Sequence, residues 1–501
     1  MILAFSIVGI VAIAALGIAG RGRTAAPDLT GWTVGGRALG AVTVWFLQAG
    51  ELFTTFTFLG MAGLAYTGGV AGLYAVAYGA VGYTIVFFLC GRLWTMGRER
   101  GYLTQGDYLQ DRFNSRVLGT ASAVLGVVFI LPYLQLQITG LGLIVSLVAG
   151  DIASGTLSMI IGTVMVAAFV LWSGLRGVAA TSYFKDAVML IALTVLAIAV
   201  PAHVPGGLSG IFHRLNQIHP DKLFIHAGAN DHTWFITSVL VSAIGVGFMT
   251  VPHAWPALLS ARDPKALRRN FTYLPLYSLC ILLPVVIGFA AILQLSPHSN
   301  SNGVLLTLSK QVLPGWLTGL VVVAATATAM VPTAGILIAI STLAARNIIW
   351  VRGERVQLRV NYAVVVIVCA LALGLSLARP DLLANLLLLT YSGLVQLAPA
   401  NVIGLTRART IVGSGPILCG LAVGEFVVIW TTFIDSHLVG TFNAGLIGLL
   451  ANLAVLSLVT VVRGTRSQAS RRFTTRTAAT KTTAATTAKY ASEPSSPHGI
   501  A

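Results

Sequence analysis

Three observations predict an all-α integral membrane protein. Of the 501 residues, 56% are apolar and only 9% charged, with a mean hydropathy of +0.86, whereas water-soluble domains carry about 25% charged residues. Uncharged runs of membrane-crossing length recur, among them 52–91, 117–150, 152–175, 187–213, 232–261, 311–345, 382–406 and 436–462; a helical crossing needs about 20 apolar residues. The runs are glycine-rich, with 53 Gly in the chain, which suits closely packed helices. The alternating segments of about 10 residues that a membrane β-barrel requires are missing.

Thirteen spans follow, near 2–20, 41–68, 71–92, 117–148, 152–174, 184–203, 233–259, 272–295, 315–345, 361–378, 382–406, 411–433 and 441–462. With the N-terminus outside and the C-terminus inside, 27 of the 31 Lys and Arg fall on inner segments, Lys185 beside Arg176 among them. Arg214, Lys222, Lys310 and Arg379 fall outside. That split matches the positive bias of cytoplasmic loops and predicts a multi-pass protein of the cell (plasma or inner) membrane. It also accounts for the formal charge of +16 without nucleic acid as a partner. No Lys or Arg precedes the apolar run 2–20, and Arg21 and Arg23 follow it, so it reads as a retained helix rather than a secretory leader. Residues 464–501, rich in Thr, Ala and Ser with scattered Arg and Lys, read as a disordered basic cytoplasmic tail that anionic lipid would attract.

The largest outer loop, 204–232, has 29 residues, so function must reside in the membrane. Its His213, His219, His226 and His232, following His203, are not spaced to place ligands on one helical face, and the loop reads as solvated. Gly207, Ser209 and Gly210 match the Gly-x-Ser-Gly string of intramembrane serine proteases, but they follow Pro205 outside the bilayer. Cys90, Cys280, Cys369 and Cys419 lie within spans as packed thiols. The sequence therefore predicts no enzyme, no cofactor and no obligate protein partner.

Two carboxylates break the rule against charge in the membrane, where each costs about 2.5–3.5 kcal/mol on insertion scales. Glu51 lies ten residues into the second span, at 1.5 Å per residue roughly 15 Å deep and near the bilayer centre. It follows Gln48, Ala49 and Gly50, and Gly beside a mid-span acid fits a helix that opens to expose carbonyls to an ion or solute; a protonated Glu packed between helices is the alternative. Glu425, equally deep in the twelfth span without an unwinding signal, reads as a structural interhelical hydrogen bond. The seventh span contains Gly245, Gly247, Pro252 and Pro256 around Thr250, His253 and Trp255, which reads as a discontinuous helix. Two interrupted helices of opposite direction, five spans apart, predict an inverted repeat, spans two to six against seven to eleven. His253 would relay protons or bond an anionic solute, or be satisfied by a carbonyl.

Beyond these features the sequence resembles the sodium:solute symporter family over nearly all of 30–460. The likeness is carried by Gly35, Gly36 and Arg37; Phe58, Leu59, Gly60, Gly63 and Tyr66; Tyr102, Thr104, Asp107, Asp111, Arg112 and Phe113; and Gly174, Leu175 and Arg176. It is similar in particular to the bacterial monocarboxylate-uptake branch of permeases for pyruvate, lactate or short-chain acids, through Trp45 to Phe58, Leu131, Pro132, Tyr133, Gln137, Lys185, Asp186, Pro252, His253, Ala254, Arg268, Arg269, Asn270 and Ala344 to Ile348. That branch usually shows Gly-Gly-Asp where Ala49, Gly50 and Glu51 stand. The resemblance implies a leucine-transporter-type ten-helix inverted repeat, with one extra helix before it and two after. Its parts would be 1–20 as the extra first helix, 41–203 and 233–406 as the five-helix repeats, and 411–462 as the peripheral helices.

The resemblance also implies a cation-coupled symporter that imports a small monocarboxylate by alternating access, with either Na⁺ or H⁺ as coupling ion. Glu51, Gly50, Phe53, Thr328 and Thr333 are the expected coupling residues. Gln48, Ala49, Thr54, Thr55, Gln137, Thr250, His253 and Trp255 are expected around the carboxylate. An anion about 5 Å from an ionised Glu51 would meet roughly 3 kcal/mol of repulsion at an effective dielectric near 20, so it would favour a neutral or cation-paired Glu51. The family's usual Na⁺ site uses carbonyls of the first core helix and a Ser/Thr pair that here aligns with Val331 and Pro332, neither of which has a hydroxyl. Thr181 and Ser182 stand where many relatives have Thr-Asp. Na⁺ symport of a neutral solute such as proline or a sugar is the alternative, and a membrane sensory module the remote one.

Overall fold

The computed structural model describes residues 2–21, 28–149, 155–378, 383–435, 437 and 440–463. The tail 464–501, expected to be disordered, lies outside them. Nine described helices are long and apolar enough to cross a bilayer: Phe56–Arg100, Arg116–Val148, Gly155–Ala202, Pro264–Gln294, Gly315–Ile348, Glu354–Ala378, Leu383–Leu405, Ser414–Ile434 and Ala444–Arg463. Two further apolar helices are Ile2–Arg21 and His232–Gly247. No β-strand occurs among the described residues, only one isolated parallel bridge between Leu39 and Ala261.

Two of the nine, with 45 and 48 residues, would be about 70 Å long if straight, more than twice the bilayer core. Glycine bends both. Gly69 sits at φ 60°, ψ −130°, and Gly174 at φ 58°, ψ −177°, conformations that a side chain resists. Gly174 therefore separates the fifth expected span from the sixth although the helical hydrogen bonding runs across it.

Gly315–Leu343 is the central helix: its sequence offers no charged side chain, and nearly all of it is buried. It packs against Ile2–Arg21, Arg116–Ala149 and Gly155–Ala202. Around this core the outward residues are also apolar, such as Phe88 at 69% exposure and Ile198 at 67%; lipid covers such faces, since all backbone polar groups are satisfied within the helices. The segment expected to be a solvated loop is partly packed. Within it Gly207–Ile218 is a helix that buries Ile211 and Leu215, because two apolar residues four apart share one face.

At the Arg-rich end, polar ties join non-adjacent helices. The Asp107 carboxylate accepts from Arg346 Nε at 2.7 and 2.8 Å and from Asn347 Nδ2 at 3.0 Å. Arg37 donates to the carbonyls of Gly97 and Tyr102 at 3.2 and 2.6 Å, and Leu39 exchanges backbone bonds with Ser260 and Arg262. Thr104 caps Gln105–Phe113 by accepting from Asp107 N, while Asp107 Oδ2 reaches back to accept from Leu103 N, one residue before the cap. At the opposite end Lys222 Nζ donates to Thr67 O at 2.7 Å and Tyr66 to Ser296 O at 2.5 Å.

Candidate solute and cation site

The first interrupted helix runs Ala41–Leu52, loses helical geometry at Phe53 (φ −96°, ψ 91°) and resumes as a π-turn over Phe56–Gly60 and an α-helix over Met61–Gly68. The second runs His232–Gly247, breaks over residues 248–253 with Met249 at φ 55°, and resumes as Ala254–Ser260. The first break follows Gly50 and Glu51, and the second falls among Gly247, Pro252 and Pro256. Breaking a helix frees its last carbonyls, and the partners of those carbonyls define the chemistry here.

In the first break, Leu52 O accepts from Thr57 Oγ1 at 2.6 Å and Ala49 O from Phe53 N at 3.0 Å. Gly50 O and Phe53 O accept from one donor, the Lys185 ammonium, at 3.4 and 2.9 Å. Lys185 has no exposed surface, and its Nζ lies 2.6 Å from Asp186 Oδ1. That contact lacks hydrogen-bond geometry, and neither Asp186 oxygen has a hydrogen-bond donor among the described residues. The charge count places Lys185 on an inner segment, and the structure corrects this: it projects from the interior of Gly155–Ala202 into the protein. A lone Lys-Asp pair inside an apolar run was the available signal, because two opposite charges together cost far less to bury than one.

Glu51 lines two cavities. One, of about 40 Å³, is bounded by residues including Gln48, Tyr83, Met249, His253, Phe271 and Tyr391. The other, of about 20 Å³, lies between Gly50, Ser182, His253, Val331 and Pro332. Each has room for one or a few waters, since a water needs roughly 10–15 Å³ by this measure. A carboxylic acid would enter only after the helices part.

Several expected solute residues gather at these breaks. Gln137 Oε1 accepts from Thr55 N at 3.3 Å, and Tyr133 donates to Thr54 Oγ1 at 3.3 Å. The Tyr133 ring lies 5.4 Å from that of His253. Gly140 permits this approach, since a Cβ there would sit 2.0 Å from the Thr55 methyl. Gln48 Oε1 accepts from Asn270 Nδ2 at 3.1 Å. Four polar atoms in the cluster are buried without a hydrogen-bond partner among the described residues: Gln48 Nε2, Thr55 Oγ1, Gln137 Nε2 and His253 Nδ1.

Others are placed elsewhere. Thr250 Oγ1 donates to Gly245 O at 2.9 Å, and Trp255 Nε1 to Met249 O at 2.9 Å, with the indole packed on Tyr108. Ala49 is fully buried and offers its carbonyl to Phe53 N. Thr328 Oγ1 donates to Ala324 O and Ala325 O, and Thr333 Oγ1 to Ala329 O, all within their own helix. Glu425, expected to make an interhelical hydrogen bond, is 7% exposed and has no hydrogen-bond partner among the described residues. Asn401, whose amide bonds the second break, carried no signal in one sequence except polarity in an apolar stretch, whereas Asn270, which donates to Ala41 O and Gln48 Oε1, entered only through the resemblance.

Broken helices meeting at a buried polar cluster define a transporter rather than an enzyme, and the comparisons bear on which kind. The sodium:solute symporter family matches residues 32–406. The chain belongs to that family and is a cation-coupled symporter of the membrane. It is 34% identical over 423 residues, 83% of this chain and 86% of the relative, to the uncharacterized symporter YhjB of Bacillus subtilis (strain 168). It is 30% identical over 321 residues, 63% of this chain and 64% of the relative, to a monocarboxylate transport permease protein of Rhizobium johnstonii. In fold it resembles a Na⁺-coupled sialic acid symporter solved in a substrate-bound outward-open state, with TM-score 0.76 and 15% identity over 92% of this chain and 98% of that one. It also resembles the nucleobase-cation-symport-1 family transporter Mhp1 in a closed conformation, with TM-score 0.55 and 14% identity over 87% and 96%.

Proposed function

We propose that the protein imports a small monocarboxylate together with a cation by alternating access, the solute lying between the two interrupted helices. The observation that carries this reading is the set of buried polar atoms without hydrogen-bond partners among the described residues, Gln48 Nε2, Gln137 Nε2, Thr55 Oγ1 and His253 Nδ1. Each costs about 1–3 kcal/mol while unpaired, and a carboxylate would accept from the amides, the hydroxyl and a protonated ring nitrogen together. The Rhizobium johnstonii relative, named as a monocarboxylate permease, supports the same class. Glu51 bounds both cavities, so the anion is admitted while Glu51 is neutral, and the coupling cation belongs near the carbonyls of Gly50 and Phe53.

The architecture we propose for this cycle has thirteen crossings, with 41–203 and 233–406 as inverted repeats and 411–462 as two peripheral helices. The glycine bends at Gly69 and Gly174 support it, because each divides an over-long helix into two crossings. The N-terminus is outside and the C-terminus in the cytoplasm; a reporter fused after residue 501 that is active only outside would sink that orientation. The solute is tested by uptake of labelled pyruvate into proteoliposomes. Unlabelled lactate and acetate should compete and proline or glucose should not. Uptake of proline or a sugar without uptake of pyruvate would replace this reading.

A further inference from the structure

A broken helix inside a membrane protein leaves the negative end of its dipole with unpaired carbonyls and no water, and transporters place a driving cation at such an end. Here that end is occupied by the protein itself. Among the carbonyls around the first break, Gly50 O and Phe53 O both face the Lys185 ammonium. Lys185 and Ser182 pack directly against this glycine: a Cβ built on Gly50 would touch Lys185 Nζ at 3.4 Å and Ser182 Oγ at 3.7 Å, ordinary contact distances. Of the other oxygens that a hard cation would need, Glu51 and Ser182 line the adjoining cavity, with Ser182 Oγ donating to Val178 O at 2.8 Å, and the expected hydroxyls of the central helix are poorly placed. Val331 and Pro332 face the adjoining cavity without a hydroxyl, and the Thr328 and Thr333 hydroxyls turn back onto their own helix. A free cation bound to the same two carbonyls would abut a fixed positive charge.

We propose that the Lys185 ammonium is a tethered replacement for the driving cation, so that transport is coupled to protons exchanged at Nζ and does not require Na⁺. This rests on the symporter reading above and goes beyond it in naming the ion and its carrier. The step balances simply. The ammonium gives one proton to water reaching it through the cavity at Ser182 and Glu51, leaving a neutral amine, and regains one from the other side of the membrane. With the proton lost, Gly50 O and Phe53 O lose the charge that holds them, and the break between Leu52 and Phe56 is released.

The titratable groups facing this region are few. Asp186 is on the same helix, Glu51 on Ala41–Leu52, His253 across the cavity, Tyr133 beside it, and Tyr277 packs on Phe53 at 4.8 Å. The neighbouring helices Gly315–Leu343 and Leu282–Gln294 bring no titratable side chain at all. Proton coupling therefore passes from Glu51, where the sequence alone suggests it, to Lys185, with Glu51 left to set the charge of the solute cavity.

The test has a part that needs no substrate. Thermal unfolding of the purified protein in detergent should be unchanged when NaCl replaces choline chloride, whereas Lys185→Ala should unfold at higher temperature with Na⁺ than with choline, because two carbonyls have been freed. A Na⁺-specific rise in the parent would overturn the proposal whether or not pyruvate proves to be the solute. In proteoliposomes an imposed pH gradient should accelerate uptake several-fold, and a Na⁺ gradient should not. Lys185→Arg keeps a positive charge that cannot be given up; it should exchange bound solute yet lose the response to the pH gradient. Concentrative uptake by Lys185→Arg equal to the parent would overturn the assignment. If Lys185→Ala does not fold, the parent and Lys185→Arg still decide it.

Discussion

The two broken helices solve the same problem with different chemistry. At the first break the freed carbonyls of Gly50 and Phe53 face a buried ammonium. At the second, Asn401 Nδ2 donates to Phe248 O and Met249 O at 2.8 and 3.0 Å, Trp255 Nε1 also donates to Met249 O, and Thr250 bonds Gly245 O through both its amide and its hydroxyl. Neutral amides, indoles and hydroxyls hold a break in one geometry at any pH. An ammonium holds it only while protonated. Under the proposal above, the difference would separate a break that responds to ions from one that fixes the framework, although both look alike as interrupted apolar runs.

Replacing Lys185 is expected to have the largest effect. Lys185→Met leaves Asp186 buried without its partner, which typically costs about 3–5 kcal/mol; adding Asp186→Asn should restore part of it. Thermal unfolding of the single and double variants measures this, and equal losses in both would mean that the pair does not act as a unit. Asn401→Leu should cost less, about 1–3 kcal/mol for two carbonyls left with fewer donors. Its loss should be the same in Na⁺ and choline, and an ion-dependent loss would erase the contrast between the breaks.

At the Arg-rich end, Asp107→Asn removes a charge-assisted tie to Arg346 that is partly exposed, worth about 1 kcal/mol or less. Labelling of a cysteine placed at Thr54 should become faster from that side, and substrate should slow it; unchanged labelling would mean that the tie does not gate the cavity. The smallest effect concerns Asp231, which caps His232–Gly247 by accepting from Trp234 N at 2.8 Å and also accepts from Thr441. Asp231→Ala should cost about 1 kcal/mol. The Trp234 N–H holds the Asp231 carboxyl below its usual range, so its contribution is full at neutral pH and fades only as pH falls below the ordinary carboxylate range. A variant whose stability deficit persists unchanged in acid would show that the cap acts through packing.

The sequence by itself determined the membrane class, the helical architecture and the positions of both breaks. Each is a local consequence of composition: apolar runs must be helical in lipid, and glycines beside polar residues or prolines within a span mark where a helix opens, although Pro132, Pro275 and Pro332 stay inside theirs. It also named Gln48, Thr55, Gln137 and His253, each with one buried side-chain atom that has no hydrogen-bond partner among the described residues. Only the tertiary structure decided who meets whom. Lys185 reaches Gly50 across 135 positions of chain, Asn401 reaches Phe248 across 153, and Thr328 and Thr333 turn toward their own helix. Hydrogen-bond partners a few ångströms apart leave no periodic trace when they come from distant helices, so a charge that the loop count assigns to an inner segment proves, once the helices pack, to be a buried ammonium against two carbonyls of the first break.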